Sequence, residues 1–181
     1  MNKNTLLYVL TVILCALCGL MLCAAQTSII PHYLNDAIFV PDLLLCFTLV
    51  LGVFAPPAFG ALFGIYAGVL ADSTGGFGIY LLPLFYMLCG YGSHVCTELL
   101  PNKKFPVFIA VGTFACIGRA VVAVIYVMLS SGSVPLLDVG RYVCIPLFFG
   151  TLIALPVLYP VGWLLTVPIR KIKHQTIDKI I

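Results

Sequence analysis

Charge is what this sequence has least of. Charged side chains make up 8% of its 181 residues, against about 25% in an ordinary soluble domain. Apolar residues make up 62%. This balance excludes a soluble globular protein, and about six spans of about 20 residues would leave too little chain for a catalytic head outside a membrane. We predict an all-α polytopic membrane protein with about six transmembrane helices.

Residue patterns that would carry chemistry are also scarce. The eight cysteines all fall inside apolar runs, where they are expected to act as small hydrophobic residues. Cys15 and Cys18 have the spacing of a metal or redox pair, but no second pair accompanies them. His94 and Glu98 lie one helical turn apart and are interpreted as a polar pair at the cytoplasmic interface. The sequence therefore predicts no enzyme, no cofactor, no metal site and no nucleic-acid groove.

Long apolar runs divide the chain into the predicted spans. The first is interpreted as an uncleaved helix rather than a signal peptide, because it exceeds the usual apolar core of about 7 to 15 residues. Segment 38–71 would extend about 51 Å as one helix, so the tandem Pro56-Pro57 predicts a hairpin of two short helices. Whether these helices cross fully or are re-entrant stays open. The spans outside the hairpin are 6–25, 79–99, 105–129 and 142–167.

The positions of lysine and arginine predict the orientation. Seven of the nine basic residues fall in segments that are cytoplasmic if the N-terminus is inside, and Arg141 is the one basic residue in an outer segment. The positive-inside rule then places both termini in the cytoplasm. We therefore expect a multi-pass membrane protein.

A basic tail follows the last span. Residues 1–168 are predicted to form a single transmembrane bundle, and residues 169–181 a basic amphipathic cytoplasmic tail. Isoleucines alternate with cations in this tail at roughly helical spacing, which suits a short helix on an anionic lipid surface. Arg170, Lys171 and Lys173 are the predicted lipid contacts.

Glycine recurs every four residues along the second helix of the hairpin. Gly60, Gly64 and Gly68 give one face of this helix a strip without side chains. Such strips allow helices to approach closely in lipid. The strip predicts either packing within the chain or docking of a partner's helix.

Arg119 is the one basic residue within a predicted span. A charge buried in a membrane normally requires a partner or water. Its depth, in the outer half of the span, makes Asp42, Asp72 and Asp138 the candidate partners. Asp72 is also expected to have a specific partner or to cap the next segment, since a carboxylate at a helix C-terminus opposes the helix dipole.

One part of the sequence resembles a known family. It contains Pro41-Asp42-Leu-Leu-Leu, then Gly60, Gly64 and Gly68 leading to Asp72, and then Gly75, Gly78 and Gly90-Tyr91. Their order and spacing over about 55 residues resemble the rod shape-determining membrane protein MreD. The chain departs from many members in having Val40 in place of a basic residue before the proline.

The resemblance implies a non-enzymatic scaffold subunit of the cell-elongation machinery. It implies association with a bitopic MreC-type protein, and through it with MreB, RodA and a class B penicillin-binding transpeptidase. Pro41, Asp42, Asp72, Gly75 and Gly78 would be the family-motif and outer-turn residues. The alternative is a substrate-binding membrane subunit of an energy-coupling-factor transporter, which also uses about six helices in a chain of this size.

Overall fold

The computed structural model of the chain describes residues 3–29, 41–75, 81–100, 104–131, 138 and 140–168. These residues are almost entirely helical and include no strand, so the predicted all-α class is confirmed for this part of the chain. Two π-helical turns, Ala25–Ile29 and Gly140–Cys144, extend the first helix and precede the last one. The six long helices are α1 (Lys3–Ala24), α2 (Leu43–Phe54), α3 (Pro57–Gly75), α4 (Leu81–Leu99), α5 (Lys104–Ser131) and α6 (Ile145–Leu165).

Among the described residues, three helical stretches are long and apolar enough to cross a membrane. They are Thr5–Ser28, Lys104–Leu129 and Ile145–Leu165. Leu43–Phe54 is a shorter apolar helix. The chain therefore has the helices of a membrane protein, although fewer of them meet these length and composition criteria than the six spans predicted from the sequence.

The chain reverses direction at Pro56-Pro57, as the sequence predicts. Helix α2 ends at Phe54 because neither proline can donate a backbone hydrogen bond to the preceding turn. Pro57 begins α3, at the position where a helix tolerates proline best. The two helices differ in length, with 12 residues in α2 and 19 in α3.

Helix α2 is the centre of the bundle. It packs against all five other long helices, and its residues from Leu44 to Phe54 are all buried. At 1.5 Å per residue its 12 residues extend only about 18 Å. A hydrocarbon core is about 30 Å thick, so α2 is a short helix enclosed by longer ones.

Glycine backbones bring α2, α3 and α4 together. A Cβ atom added to Gly60 would lie 2.9 Å from the Gly90 carbonyl oxygen and 3.0 Å from the Cα atom of Gly52. At Gly64 it would lie 2.8 Å from the Cα atom of Met87, and at Gly68 it would lie 2.6 Å from the Pro83 nitrogen. The strip therefore packs along α4 of the same chain, and a partner's helix would have to displace α4 to reach it.

We predict that Gly64→Ala and Gly68→Ala each destabilise the protein by about 1–3 kcal/mol, the usual cost of overpacking. The obstacle is the backbone of α4, which cannot rotate away as a side chain would. Leucine at either position should cost more. Thermal unfolding of the purified protein measures the effect.

Gly92 provides the matched control, because it lies on α4 and a Cβ atom there would meet nothing within 4 Å. Gly92→Ala should change stability by no more than about 0.5 kcal/mol. Equal melting temperatures for the Gly64, Gly68 and Gly92 variants would show that the close approach of α3 and α4 is wrong.

Candidate functional site: a buried polar cluster at the start of the central helix

The first turn of α2 contains buried backbone N–H groups that need hydrogen-bond acceptors. The first N–H groups of any helix have no partner within that helix. At the start of α2 these groups lie inside the protein, since Asp42 is fully buried and Leu44 and Leu45 are almost fully buried. Unsatisfied backbone groups in such a setting cost several kcal/mol each. Side chains from elsewhere in the fold must therefore reach them.

Three side chains accept hydrogen bonds from this turn. The Asp42 N–H donates to Thr151 Oγ1 of α6 at 3.0 Å, and the Leu43 N–H donates to Gln26 Oε1 at 3.1 Å. Gln26 belongs to the π-helical turn that follows α1. The Leu45 N–H donates to Asp42 Oδ1 at 3.0 Å, so Asp42 is the N-cap of its own helix. The start of α2 thus ties together α1, α2 and α6.

Asp42 also forms an ion pair with Arg119 of α5. The Nε–H of Arg119 donates to Asp42 Oδ2 at 2.9 Å, and the Arg119 side chain is 17% exposed. The hydroxyl of Tyr86, which is fully buried on α4, donates to the same carboxylate oxygen. The carboxylate therefore neutralises the guanidinium and accepts bonds from α2, α4 and α5. Of the three partners expected for Arg119, the structure has Asp42.

A second buried carboxylate joins α3 to α5. Tyr126 donates its hydroxyl hydrogen to Asp72 Oδ1 at 2.7 Å, and both side chains are buried. Arg119 and Tyr126 are seven residues apart, two helical turns, so they lie on the same face of α5. This face of α5 thus makes polar contacts with two buried aspartates, and Asp72 has the specific partner that its position predicts.

His94 contacts α2 near its other end. Its Nδ1 atom lies 3.2 Å from the carbonyl oxygen of Gly52, and its Nε2 atom lies 3.3 Å from Glu98 Oε1. The two residues therefore form the polar pair that their spacing predicts, with His94 only 8% exposed and the Glu98 side chain 65% exposed.

The remaining predicted residues are distributed as follows. Pro41 directly precedes the buried cap, and Gly75 is the last residue of α3. Asp138 is exposed and makes no ion pair with Arg119. Gly78, the tail 169–181 and its cations Arg170, Lys171 and Lys173 lie outside the described residues.

Sequence reasoning missed the neutral members of the cluster, which are Gln26, Tyr86 and Thr151. Tyr86 and Thr151 each stand alone in an apolar stretch, and Gln26 begins a short polar run, so none of them has a spacing that indicates a partner. Only a general argument indicates that such residues exist. A carboxylate buried in an ion pair with Arg119 has further lone pairs, and these require additional hydrogen-bond donors.

The chemistry open to this cluster is structural. Asp42 accepts three hydrogen bonds from side chains and backbone, which leaves little capacity for proton transfer to a substrate. Within the described ranges no group of three histidine, cysteine or carboxylate residues is placed to hold a metal ion. The arrangement suits a fixed polar joint between helices.

No family model, curated protein or solved structure matches the chain.

We predict that Asp42→Asn destabilises the protein by about 3–5 kcal/mol, because it leaves the guanidinium of Arg119 buried without a counter-charge. Adding Arg119→Met to this variant should restore part of the loss, since no unpaired charge then remains. Tyr86→Phe removes one donor to a charged acceptor and should cost about 1.5–3 kcal/mol. Thermal unfolding of the wild-type protein, these three variants and Arg119→Met alone, all in one detergent, measures these differences.

The double variant is the decisive member of this series. Arg119→Met alone lowers the free energy of unfolding of the wild-type protein by some amount. If the same change lowers that of Asp42→Asn by an equal amount, the two residues act independently and the ion pair is wrong.

Proposed function

We propose that the chain is a non-enzymatic scaffold of the bacterial cell-elongation machinery, similar in role to MreD. In this role it binds a bitopic MreC-type partner in the inner membrane. Through that partner it helps to couple peptidoglycan synthesis by RodA and a class B penicillin-binding transpeptidase to the MreB cytoskeleton. Anionic lipids contact its basic tail.

One observation carries the proposal: the residues of the resembling segment form the internal framework of the bundle. Asp42 caps the central helix and neutralises Arg119. Asp72 bonds to Tyr126, and the Gly60, Gly64 and Gly68 strip packs on α4. These residues build a rigid bundle rather than a reaction centre, which favours a function exerted through its outer faces.

Helix α1 offers one such face. Most of its side chains are exposed, and these are predominantly large and apolar. Its buried positions, Thr11, Cys15, Gly19 and Cys23, recur every four residues and form one narrow stripe. The rest of its circumference is therefore available to lipid or to a partner's transmembrane helix.

The proposal includes six spans, with both termini in the cytoplasm. Contacts along the bundle support this arrangement, because Tyr8 near the start of α1 packs on Phe59 near the start of α3. Tyr159 near the end of α6 packs on Phe54 at the end of α2 and on Phe105 at the start of α5. The basic residues favour the cytoplasm for the end that holds these contacts.

We predict that a cysteine placed at Lys104 is labelled only after the inner membrane is permeabilised. A cysteine at Asp138, which is exposed, should be labelled in intact cells by the same impermeant reagent. Labelling is read in a background where the native cysteines are replaced. Labelling of the cysteine at position 104 in intact cells would show that the hairpin crossing and the six-span arrangement are both wrong.

We predict that depletion of the protein converts rod-shaped cells into rounded cells that still divide. The physical reason is loss of the scaffold that keeps wall synthesis aligned with the cytoskeleton. Microscopy during depletion, with wild-type and Gly64→Leu proteins supplied in turn, measures the effect. The wild-type protein should restore rods, and Gly64→Leu should not.

Crosslinked affinity purification from native membranes separates the proposal from the transporter alternative. Recovery of a bitopic membrane protein supports a scaffold. Unchanged cell shape, together with a tightly bound small molecule in the purified protein, would overturn it in favour of a carrier.

A further inference from the structure

Two prolines, Pro156 and Pro160, lie in the interior of α6. A proline has no backbone N–H, so the carbonyl four residues before it loses its helical donor. In α6 these carbonyls belong to Leu152 and to Pro156 itself. Other helices avoid this loss, because their prolines lie within the first three residues, where no carbonyl of the same helix stands four residues earlier; they are Pro57, Pro83 and Pro106.

The end of α2 shows how the bundle satisfies such a carbonyl when it is buried. The Gly52 carbonyl stands four residues before Pro56, and Nδ1 of His94 on α4 lies 3.2 Å from its oxygen. No side chain in the described ranges reaches the Leu152 or Pro156 carbonyl in this way. The side-chain donors to α6 bond instead to the carbonyls of Leu147, Thr151, Gly162 and Trp163.

Both carbonyls lie deep in the membrane. Helix α6 is long and apolar enough to span, and its 21 residues extend about 31 Å, close to the thickness of a hydrocarbon core. Leu152 lies about 10 Å and Pro156 about 16 Å along the axis from Ile145. An unpaired polar group at this depth is costly, since lipid tails offer no hydrogen-bond donor.

The prolines lie on the side of α6 that faces away from the bundle. Pro156 and Pro160 are both exposed, and the carbonyl of a helical residue points along the axis toward the residue four positions later. The large apolar side chains on this side are also exposed. We call this surface the proline face, and its apolar members are Ile153, Val157, Val161 and Leu164.

The exposed side of α1 lacks this combination. Helix α1 contains no proline, so its interior carbonyls keep their helical donors. Lipid tails can therefore cover α1 without leaving a polar group unpaired. The same tails on the proline face leave two acceptors unpaired, so the surface that complements it has to supply hydrogen-bond donors.

We propose that the proline face of α6 docks the transmembrane helix of a partner, whose hydroxyl or amide side chains donate to the Leu152 and Pro156 carbonyls. Hydrogen bonds between helices are one of the forces that drive association in lipid. This inference rests on the proposed function for the bitopic nature of the partner. It adds the face at which the partner docks and the chemistry that it brings.

The first test places a photo-crosslinking amino acid at Val157 in the full-length chain, in native membranes. Phe114 of α5 is the matched control position, because its side chain is also apolar and exposed. From Val157 we expect a crosslink to a protein with one transmembrane helix that carries serine, threonine, asparagine or glutamine, and from Phe114 we expect none.

The other outcomes separate this inference from the proposed function. A bitopic protein crosslinked from Phe114 and not from Val157 would overturn the docking face and leave the scaffold function standing. Crosslinks from Val157 only to lipid or to a second copy of this chain would also overturn the docking face. Failure of the wild-type protein to recover any bitopic protein would count against the scaffold function itself.

The second test changes the hydrogen bonds. Pro156→Ala and Pro160→Ala each supply the missing N–H, so the isolated protein should melt about 2–4 °C higher, and recovery of the crosslinked partner should fall about fivefold. Pro146→Ala in the first turn of α6 is the control, because no α6 carbonyl stands four residues before it; partner recovery should not change. A lower melting temperature, or unchanged partner recovery, for both interior variants would overturn the proposal.

Discussion

The buried start of α2 is the constraint on which the rest of the structure depends. A helix about 18 Å long covers only part of a hydrocarbon core of about 30 Å. Its first N–H groups therefore lie inside the protein, where water cannot satisfy them. Asp42 caps one of them, and Gln26 and Thr151 accept from two more. The same carboxylate neutralises Arg119, so α2 can occupy the centre only when the surrounding helices are in place.

Close packing between helices is the second requirement for the bundle to form. Lipid tails already solvate apolar side chains, so burial alone provides little drive for helices to associate in a membrane. Close backbone contact and buried hydrogen bonds have to replace it. The bundle uses both: Gly52, Gly60 and Gly90 bring three helices together at one point, and Ser93 donates to the Leu49 carbonyl beside it at 3.1 Å. The glycine contacts depend on the absence of side chains where helices approach closely, whereas the Asp42 cluster depends on a buried ion pair.

The sequence predicts those features that arise from one residue or one spacing. The tandem prolines stop a helix by covalent geometry, and a four-residue glycine repeat always lies on one helix face. A lone arginine in a span requires a counter-charge, but the choice of Asp42 over Asp72 and Asp138 depends on tertiary packing. Single polar residues such as Tyr86 carry no signal of their partner. The contact of His94 with Gly52 has no signal in residue spacing, because the Gly52 carbonyl lacks a helical donor only through Pro56, four residues later.

The two ends of α2 are fastened by different chemistry. At its start, Asp42 pairs with a guanidinium that stays charged across physiological pH. At its other end, His94 of α4 contacts the Gly52 carbonyl, which Pro56 leaves without a helical donor. One end of the central helix is thus held by an ion pair and several hydrogen bonds, and the other by a contact from a single imidazole.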